Sequence, residues 1–189
     1  MSNQHSKEFH RKNYQIIRRK VLPKVEKAII REVNLEIEKL IKADQLSGYL
    51  GLYWPINSEV DLRHFKTNTN IQIALPASNK DGQLTYHPWR NLPLIKDFCG
   101  IPAPINEPSL TPDQIALLLV PALAIDQNGY RLGYGGGFFD RLREKPTWRS
   151  IPSKVVLPKD CVSNSPFPHE TWDVPFNGWI NEKGVFNLF

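Results

Sequence analysis

Four glycines fall within five residues, at Gly133, Gly135, Gly136 and Gly137, inside the run GYRLGYGGGFFDR from Gly129 to Arg141. No regular element passes through such a run, so the chain must break there. Ahead of it lies an apolar, strand-like stretch from Ala116 to Val120, and behind it a helix-like stretch from Phe138 to Glu144. A strand, a glycine loop and a helix in that order suit an α/β fold with an anion cradle. Glycines allow φ > 0 and let backbone N–H groups approach a bound anion. The following helix adds its unpaired N–H groups and positive dipole end. Arg131 and Arg141 flank the loop, and Asp140 stands where it reaches a metal carried by phosphates.

The run fits neither standard nucleotide pattern. A P-loop requires Lys-Ser/Thr after the last glycine, where this chain has Phe138 and Phe139; the dinucleotide spacing G-x-G-x-x-G fails because Phe138 occupies its third slot. The competing reading is a tight surface turn. Four glycines between a buried strand and a helix, with arginine on both sides, favour phosphate binding.

The 189 residues suffice for one domain with a sizeable core, and 41% hydrophobic with 23% charged residues is ordinary globular usage. No apolar run approaches the ~20 residues of a membrane span, and the polar start of the chain lacks the apolar region of a signal peptide. Two cysteines, Cys99 and Cys161, are too few for a disulfide scaffold or a zinc site and read as reduced thiols of a cytoplasmic protein. The net charge of +5 is uneven: residues 1–42 carry 11 of the 24 basic and 5 of the 19 acidic residues. This basic arm either binds nucleic acid or lends a few arginines to a small anion. Interleaved glutamates at 26, 32, 36 and 38 weaken the first reading.

Residues 1–8 read as a disordered terminus, followed by a helix to Leu22 and, after Pro23, a second helix with Val25, Ile29, Val33, Ile37 and Ile41 on one stripe. Strands are expected at Tyr49–Trp54, Ile71–Leu75, Leu84–His87, Ala116–Val120 and Lys154–Leu157, the third pairing locally with the second. Ser58 and Asp61 read as the capping box of a helix between the first two. Proline-rich stretches, 91–112 and 158–175, read as loops that carry ligand contacts. The whole predicts a single α/β domain over residues 1–189 with a largely parallel sheet.

The glycine run and its neighbours resemble the 5-formyltetrahydrofolate cyclo-ligase family, also called methenyltetrahydrofolate synthetase. The family's strand end and loop read here as Pro121-Ala122-Leu123-Ala124-Ile125-Asp126 and then Gly129 through Asp140. Trp54-Pro55 to Asp61, Gly100 to Pro104 and Trp172-Asp173-Val174-Pro175 are similar to three further family segments. Departures are Ala103 where the family has Glu, Cys99 after Phe98, Asn177 for an aspartate, and Tyr14 or Gln15 for an N-terminal lysine four residues before an arginine.

The resemblance implies a three-layer α/β/α domain and ATP-driven closure of 5-formyltetrahydrofolate to 5,10-methenyltetrahydrofolate with release of ADP and phosphate. Phosphoryl transfer of this kind rests on positioning and charge stabilisation, and no protein nucleophile is evident. The implied site assigns ATP to Gly133, Tyr134, Gly135, Gly136, Gly137, Phe138, Phe139, Arg131 and one of Arg18 or Arg19, with Arg131 and Glu59 catalytic. Glu59, Trp54 and Phe139 take the folate, and Tyr86, Trp89 and Phe98 are further candidate walls. Asp140 and Asp173 hold Mg2+. A cytoplasmic monomer with small-molecule substrates, no nucleic acid and no membrane partner is expected. The rivals are a folate- or nucleotide-binding regulator without turnover, and an RNA-binding module using the basic arm.

Overall fold

The N-terminal apolar stripe forms one helix, not two. In the computed structural model, which describes residues 2–170 and 173–188, α1 runs from Ser2 to Lys42 with Pro23 inside it. Proline there removes one backbone hydrogen bond and costs about 3 kcal/mol in an isolated helix. Leu22, Ile29, Val33 and Ile37 offset it by burial against the sheet. The helix also covers residues 2–8, where a disordered terminus was expected.

The main sheet has seven strands. They are β1 (Tyr49–Gly51), β2 (Gln72–Ser78), β3 (Leu84–Pro88), β6 (Ile115–Pro121), β9 (Ser153–Val156), β11 (Gly178–Asn181) and β12 (Gly184–Asn187), in the order β12-β11-β9-β6-β1-β2-β3. The four central pairings, from β11 to β2, are parallel; the β2–β3 and β11–β12 hairpins at the two edges are antiparallel. The local pairing of β3 with β2 is therefore as expected, with Leu75 opposite His87. Side chains of β6 alternate: Leu117 and Leu119 join the core under α1, while Leu118 and Val120 join the core under α2 (Phe138–Glu144) and α3 (Pro146–Arg149). Helices thus cover both faces, giving three layers. Gly51 is required where the middle strand meets its neighbour, because a Cβ there would lie 2.4 Å from a Leu118 methyl.

Three expectations need correction. The segment Asn57–Asp61 is not helical: Asn57 has φ of 55°, Asp61 accepts a bond from the Arg63 amide, and a 3-10 turn begins only at Arg63. The strand expected over Tyr49–Trp54 stops at Gly51. The glycine loop does not follow β6 directly, because a second sheet intervenes, built from β7 (Ala124–Asp126), β8 (Arg131–Leu132) and β10 (Val162–Ser163). Buried Asp126 holds it together. Its Oδ1 accepts from the amides of Asn128 and Tyr130, which shapes the β7–β8 turn, and its Oδ2 accepts from the Phe167 amide at 2.8 Å.

The proline-rich stretch 91–112 contains a small hairpin of β4 (Ile95–Lys96) and β5 (Pro102–Ala103). From β1 the chain moves one way to β2 and later the other way to β6. The crevice at the carboxyl ends of these strands is where open α/β sheets bind ligands.

Candidate active site

Two cavities meet at that crevice. The first, about 90 Å³, is polar. The loop glycines Gly133, Gly135 and Gly137 line it, with Lys7 and Arg11 of α1, Arg131 of β8, and the carboxylates of Asp140 and Asp173. Three cations against two carboxylates leave it electropositive. The second, about 480 Å³, is mostly apolar. Tyr53, Trp54 and Ile56 after β1, Pro76 of β2, and Phe138 and Phe139 wall it, and Glu59 stands among them. Arg131 and Gly137 belong to both cavities.

Arg131 is held on all sides. Its Nη1 donates to the Pro121 carbonyl at 3.0 Å and its Nη2 to Asp140 Oδ1 at 3.3 Å. The guanidinium carbon lies 5.0 Å from the Phe139 ring centroid and 5.8 Å from that of Phe176. Its Nε is buried with no partner among the described residues. A fixed cation with a spare donor, at the wall common to a polar and an apolar cavity, is suited to stabilise charge that develops between two ligands.

Glu59 is 7% exposed. Its Oε2 accepts from the Ile56 amide at 2.8 Å, and its Oε1 is buried without a partner among the described residues. Burial raises its carboxyl above its ordinary value, against the smaller lowering by the Ile56 amide, the nearby Tyr134 hydroxyl and the Arg18 and Arg131 charges. A buried carboxylate oxygen without a partner in an apolar cleft is available to accept a donor from a bound molecule. Burial, and then the Glu59 charge, push the Tyr134 hydroxyl well above the usual phenol range, so it stays protonated.

The residues expected at the phosphates divide between the cavities. Gly133 and Gly135 line the polar one; Tyr134, Gly136, Phe138 and Phe139 line the apolar one; Gly137 lines both. Arg18 lines neither. It is 2% exposed, donating from Nε to Ser58 Oγ at 3.0 Å, from Nη1 to the Ala122 carbonyl at 2.6 Å, and from Nη2 to the Tyr134 hydroxyl. All three nitrogens are engaged, so it ties the Glu59 segment to the glycine loop and does not reach a nucleotide. Arg19 is exposed and lines neither cavity. Among the other candidate walls, Trp54 faces the cleft, beneath the Arg63 guanidinium at 4.8 Å. Tyr86 is fully buried and stacks on Trp148; Trp89 packs behind Trp54, and Phe98 points to solvent while neighbouring Cys99 lines the cleft.

Lys7 and Arg11 are the cations that sequence reasoning missed. With Tyr14 and Arg18 they recur at spacings of four, three and four, one face of a helix. Arg11 Nε donates to the Gly133 carbonyl at 3.1 Å, and Lys7 Nζ lies 3.4 Å from Asp173 Oδ2. Tyr130 and His169, stacked at 3.8 Å, line the same cavity. Trp172 lies outside the described residues. Ala103 and Asn177, two departures from the family pattern, line neither cavity; Asn177 instead receives the Ser153 amide at 2.9 Å.

Asp140 and Asp173 both line the polar cavity, and each has one carboxylate oxygen without a hydrogen bond among the described residues. No group of three or more metal-ligating side chains occurs among the described residues. Two carboxylates are too few for a protein-only cage but fit Mg2+, which keeps waters and shares its shell with phosphate oxygens.

Residues 3–181 match the model of the 5-formyltetrahydrofolate cyclo-ligase family. The chain belongs to that family. The 5-formyltetrahydrofolate cyclo-ligase of Haemophilus influenzae is 36% identical over 137 residues, covering 67% of this chain and 71% of that protein. The Escherichia coli K12 cyclo-ligase is 32% identical over 110 residues, covering 54% and 56%, so the chain spans about half the length of that relative. In fold, it is similar to the 5,10-methenyltetrahydrofolate synthetase of Aquifex aeolicus, with a TM-score of 0.74, 24% identity and coverage of 96% of this chain and 92% of that one. The Mycoplasma pneumoniae 5,10-methenyltetrahydrofolate synthetase gives a TM-score of 0.71 at 20% identity, covering 93% and 98%. The three layers around a largely parallel sheet are thus the fold of these synthetases. No helix among the described residues is long and apolar enough to cross a membrane.

Proposed function

We propose that the protein closes 5-formyltetrahydrofolate, the substrate its cyclo-ligase relatives are named for, to 5,10-methenyltetrahydrofolate, with ATP as co-substrate. The observation that carries this reading is Arg131, common to the phosphate-sized polar cavity and the heterocycle-sized apolar cleft.

The polar cavity takes the ATP phosphates on the loop amides, with Lys7, Arg11 and Arg131 balancing their charge. The apolar cleft takes the pterin, its ring N–H groups on Glu59 and its faces against Trp54 and Phe139. The formyl oxygen then lies beside the γ-phosphate at Arg131. It attacks phosphorus as ADP departs, N10 adds to the resulting iminium carbon and gives up its proton, and phosphate takes that proton and leaves with the former formyl oxygen. Arg131 supports the charge on the phosphoryl oxygens in the first step and on the departing phosphate in the last. Asp140 and Asp173 are the residues that would hold Mg2+, whose chemistry is to neutralise polyphosphate charge. The expected setting is a cytoplasmic, monomeric enzyme with small-molecule substrates.

The test is direct. Purified protein mixed with 5-formyltetrahydrofolate and Mg-ATP should develop the methenyl absorbance band, with one ADP formed per methenyl product. Binding of both ligands with no methenyl product would favour a regulator without turnover.

A further inference from the structure

The glycine loop is fastened from outside by a residue that lines neither cavity. Arg141, one turn into α2, donates from Nε to the Gly82 carbonyl at 2.8 Å and from Nη2 to the Gly136 carbonyl at 2.6 Å. Its guanidinium carbon lies 5.3 Å from the Phe138 ring centroid. It forms no ion pair among the described residues, which distinguishes it from an ordinary surface arginine. The slot is shaped for it at both ends. A Cβ at Gly82 would lie 2.8 Å from Nη2, and a Cβ at Gly137 would lie 2.7 Å from Nη1; both glycines have positive φ, 73° and 66°.

We propose that Arg141 is a positioning residue that aims the Gly136–Gly137 peptide at the nucleotide phosphates. A trans peptide holds its carbonyl and the following N–H in opposite directions. Drawing the Gly136 carbonyl out to Arg141 therefore turns the Gly137 N–H away from Arg141, and Gly137 lines both cavities. Gly82 lies at the turn of the β2–β3 hairpin, so the second bond anchors this orientation to the sheet. The same guanidinium covers Phe138, a wall of the apolar cleft, so one side chain sets both the phosphate donor and the wall beside it. Lysine cannot substitute, because a single ammonium on a flexible stem does not bridge two fixed carbonyls in one plane.

The inference rests on the phosphate reading of the loop. Calorimetry with Mg-ADP on the wild type, R141A, R141K and G82A tests it, with thermal melts to verify folding. Wild type should bind. R141A should bind about tenfold or more weakly, the loss expected for a charge-assisted bond that fixes a donor. R141K should recover little of this, and G82A should weaken binding in the same direction, although Gly82 touches no ligand. Millimolar methylguanidine should tighten R141A and leave wild type unchanged. A folded R141A that binds within twofold of wild type overturns the proposal. So does a weakened R141A that methylguanidine fails to tighten, which marks a general structural loss. Should R141A not fold, wild-type affinity in G82A is the overturning result. Wild type that does not bind Mg-ADP at all overturns the phosphate reading itself.

Discussion

Replacing Glu59 with glutamine should make the protein more stable and the proposed folate site worse. The side chain is 7% exposed, and one of its oxygens is buried without a partner among the described residues. Leaving such a group unpaired costs about 1–3 kcal/mol, more when it is charged. Burial raises the folded carboxyl above its ordinary value of 4.5, whereas the unfolded chain keeps that value. The folded state therefore holds its proton more tightly, so wild type loses stability as pH rises from about the ordinary carboxyl value through the raised one. Glu59→Gln removes that dependence and keeps an acceptor for the Ile56 amide. At neutral pH we expect a gain of about 1–3 kcal/mol, which for a chain of this size is roughly 2–12 °C in Tm. At pH 4 the two melting temperatures should converge. Folate affinity should fall by about 10- to 100-fold at neutral pH, the worth of charge-assisted bonds to a ring donor. Thermal melts between pH 4 and 8, with folate titrations alongside, measure both. A variant less stable than wild type at pH 7, or a stability difference that is flat in pH, would refute the reasoning.

Asp140→Asn should lower turnover, with partial recovery at high magnesium. Its Tm should barely move, because the Arg131–Asp140 contact is 3.3 Å and the aspartate side chain is 40% exposed; a large Tm loss with unaltered magnesium dependence would mark a structural residue. Arg18→Ala should cost about 3–5 kcal/mol in chemical denaturation, since it strips buried groups of a charged donor. Arg19→Ala should change stability by no more than about 0.5 kcal/mol and leave the KM for ATP unaltered; a rise in that KM would return Arg19 to the nucleotide. A thiol-specific disulfide reagent should label one cysteine in the native protein, Cys99. Cys161 is buried, and burial pushes its thiol up to about 12, so it should react only after unfolding; double labelling under native conditions would contradict its placement.

The sequence carried the elements whose signals are local. The helix from Phe138 ends as expected because Lys145-Pro146 follows it, and the β2–β3 pairing comes from two short apolar runs close in the chain. What it did not carry depends on distant contacts. The β7–β8 hairpin has strands of three and two residues and no periodicity to read; Asp126 and the packing of Gly129 under Phe176 hold it. Pro23 is a sound helix breaker by local rules, overridden here by burial further along the same face. Arg18 and Arg19 look equivalent in a run of basic residues. Only the docking angle of a 41-residue helix decides that Lys7 and Arg11 face the loop while Arg18 points inside. Glu59 and Arg131 were legible because they sit within motifs, and the geometry adds that each keeps a buried polar atom unpaired.

The clamp around Arg131 also bears on when the cost of order is met. An arginine free in solution loses about 2 kcal/mol of rotamer freedom when it is fixed on a ligand. Here two aromatic rings and a carbonyl already hold the guanidinium in place as a consequence of folding. On the proposed reaction neither substrate would have to immobilise it, leaving that binding energy for bringing the formyl oxygen and the phosphate together. The stability of the domain and the speed of the proposed chemistry would then be linked through one side chain. A mutation that loosens Phe176, a buried residue at the wall of the polar cavity whose ring lies against Arg131, would slow the proposed reaction by letting Arg131 wander.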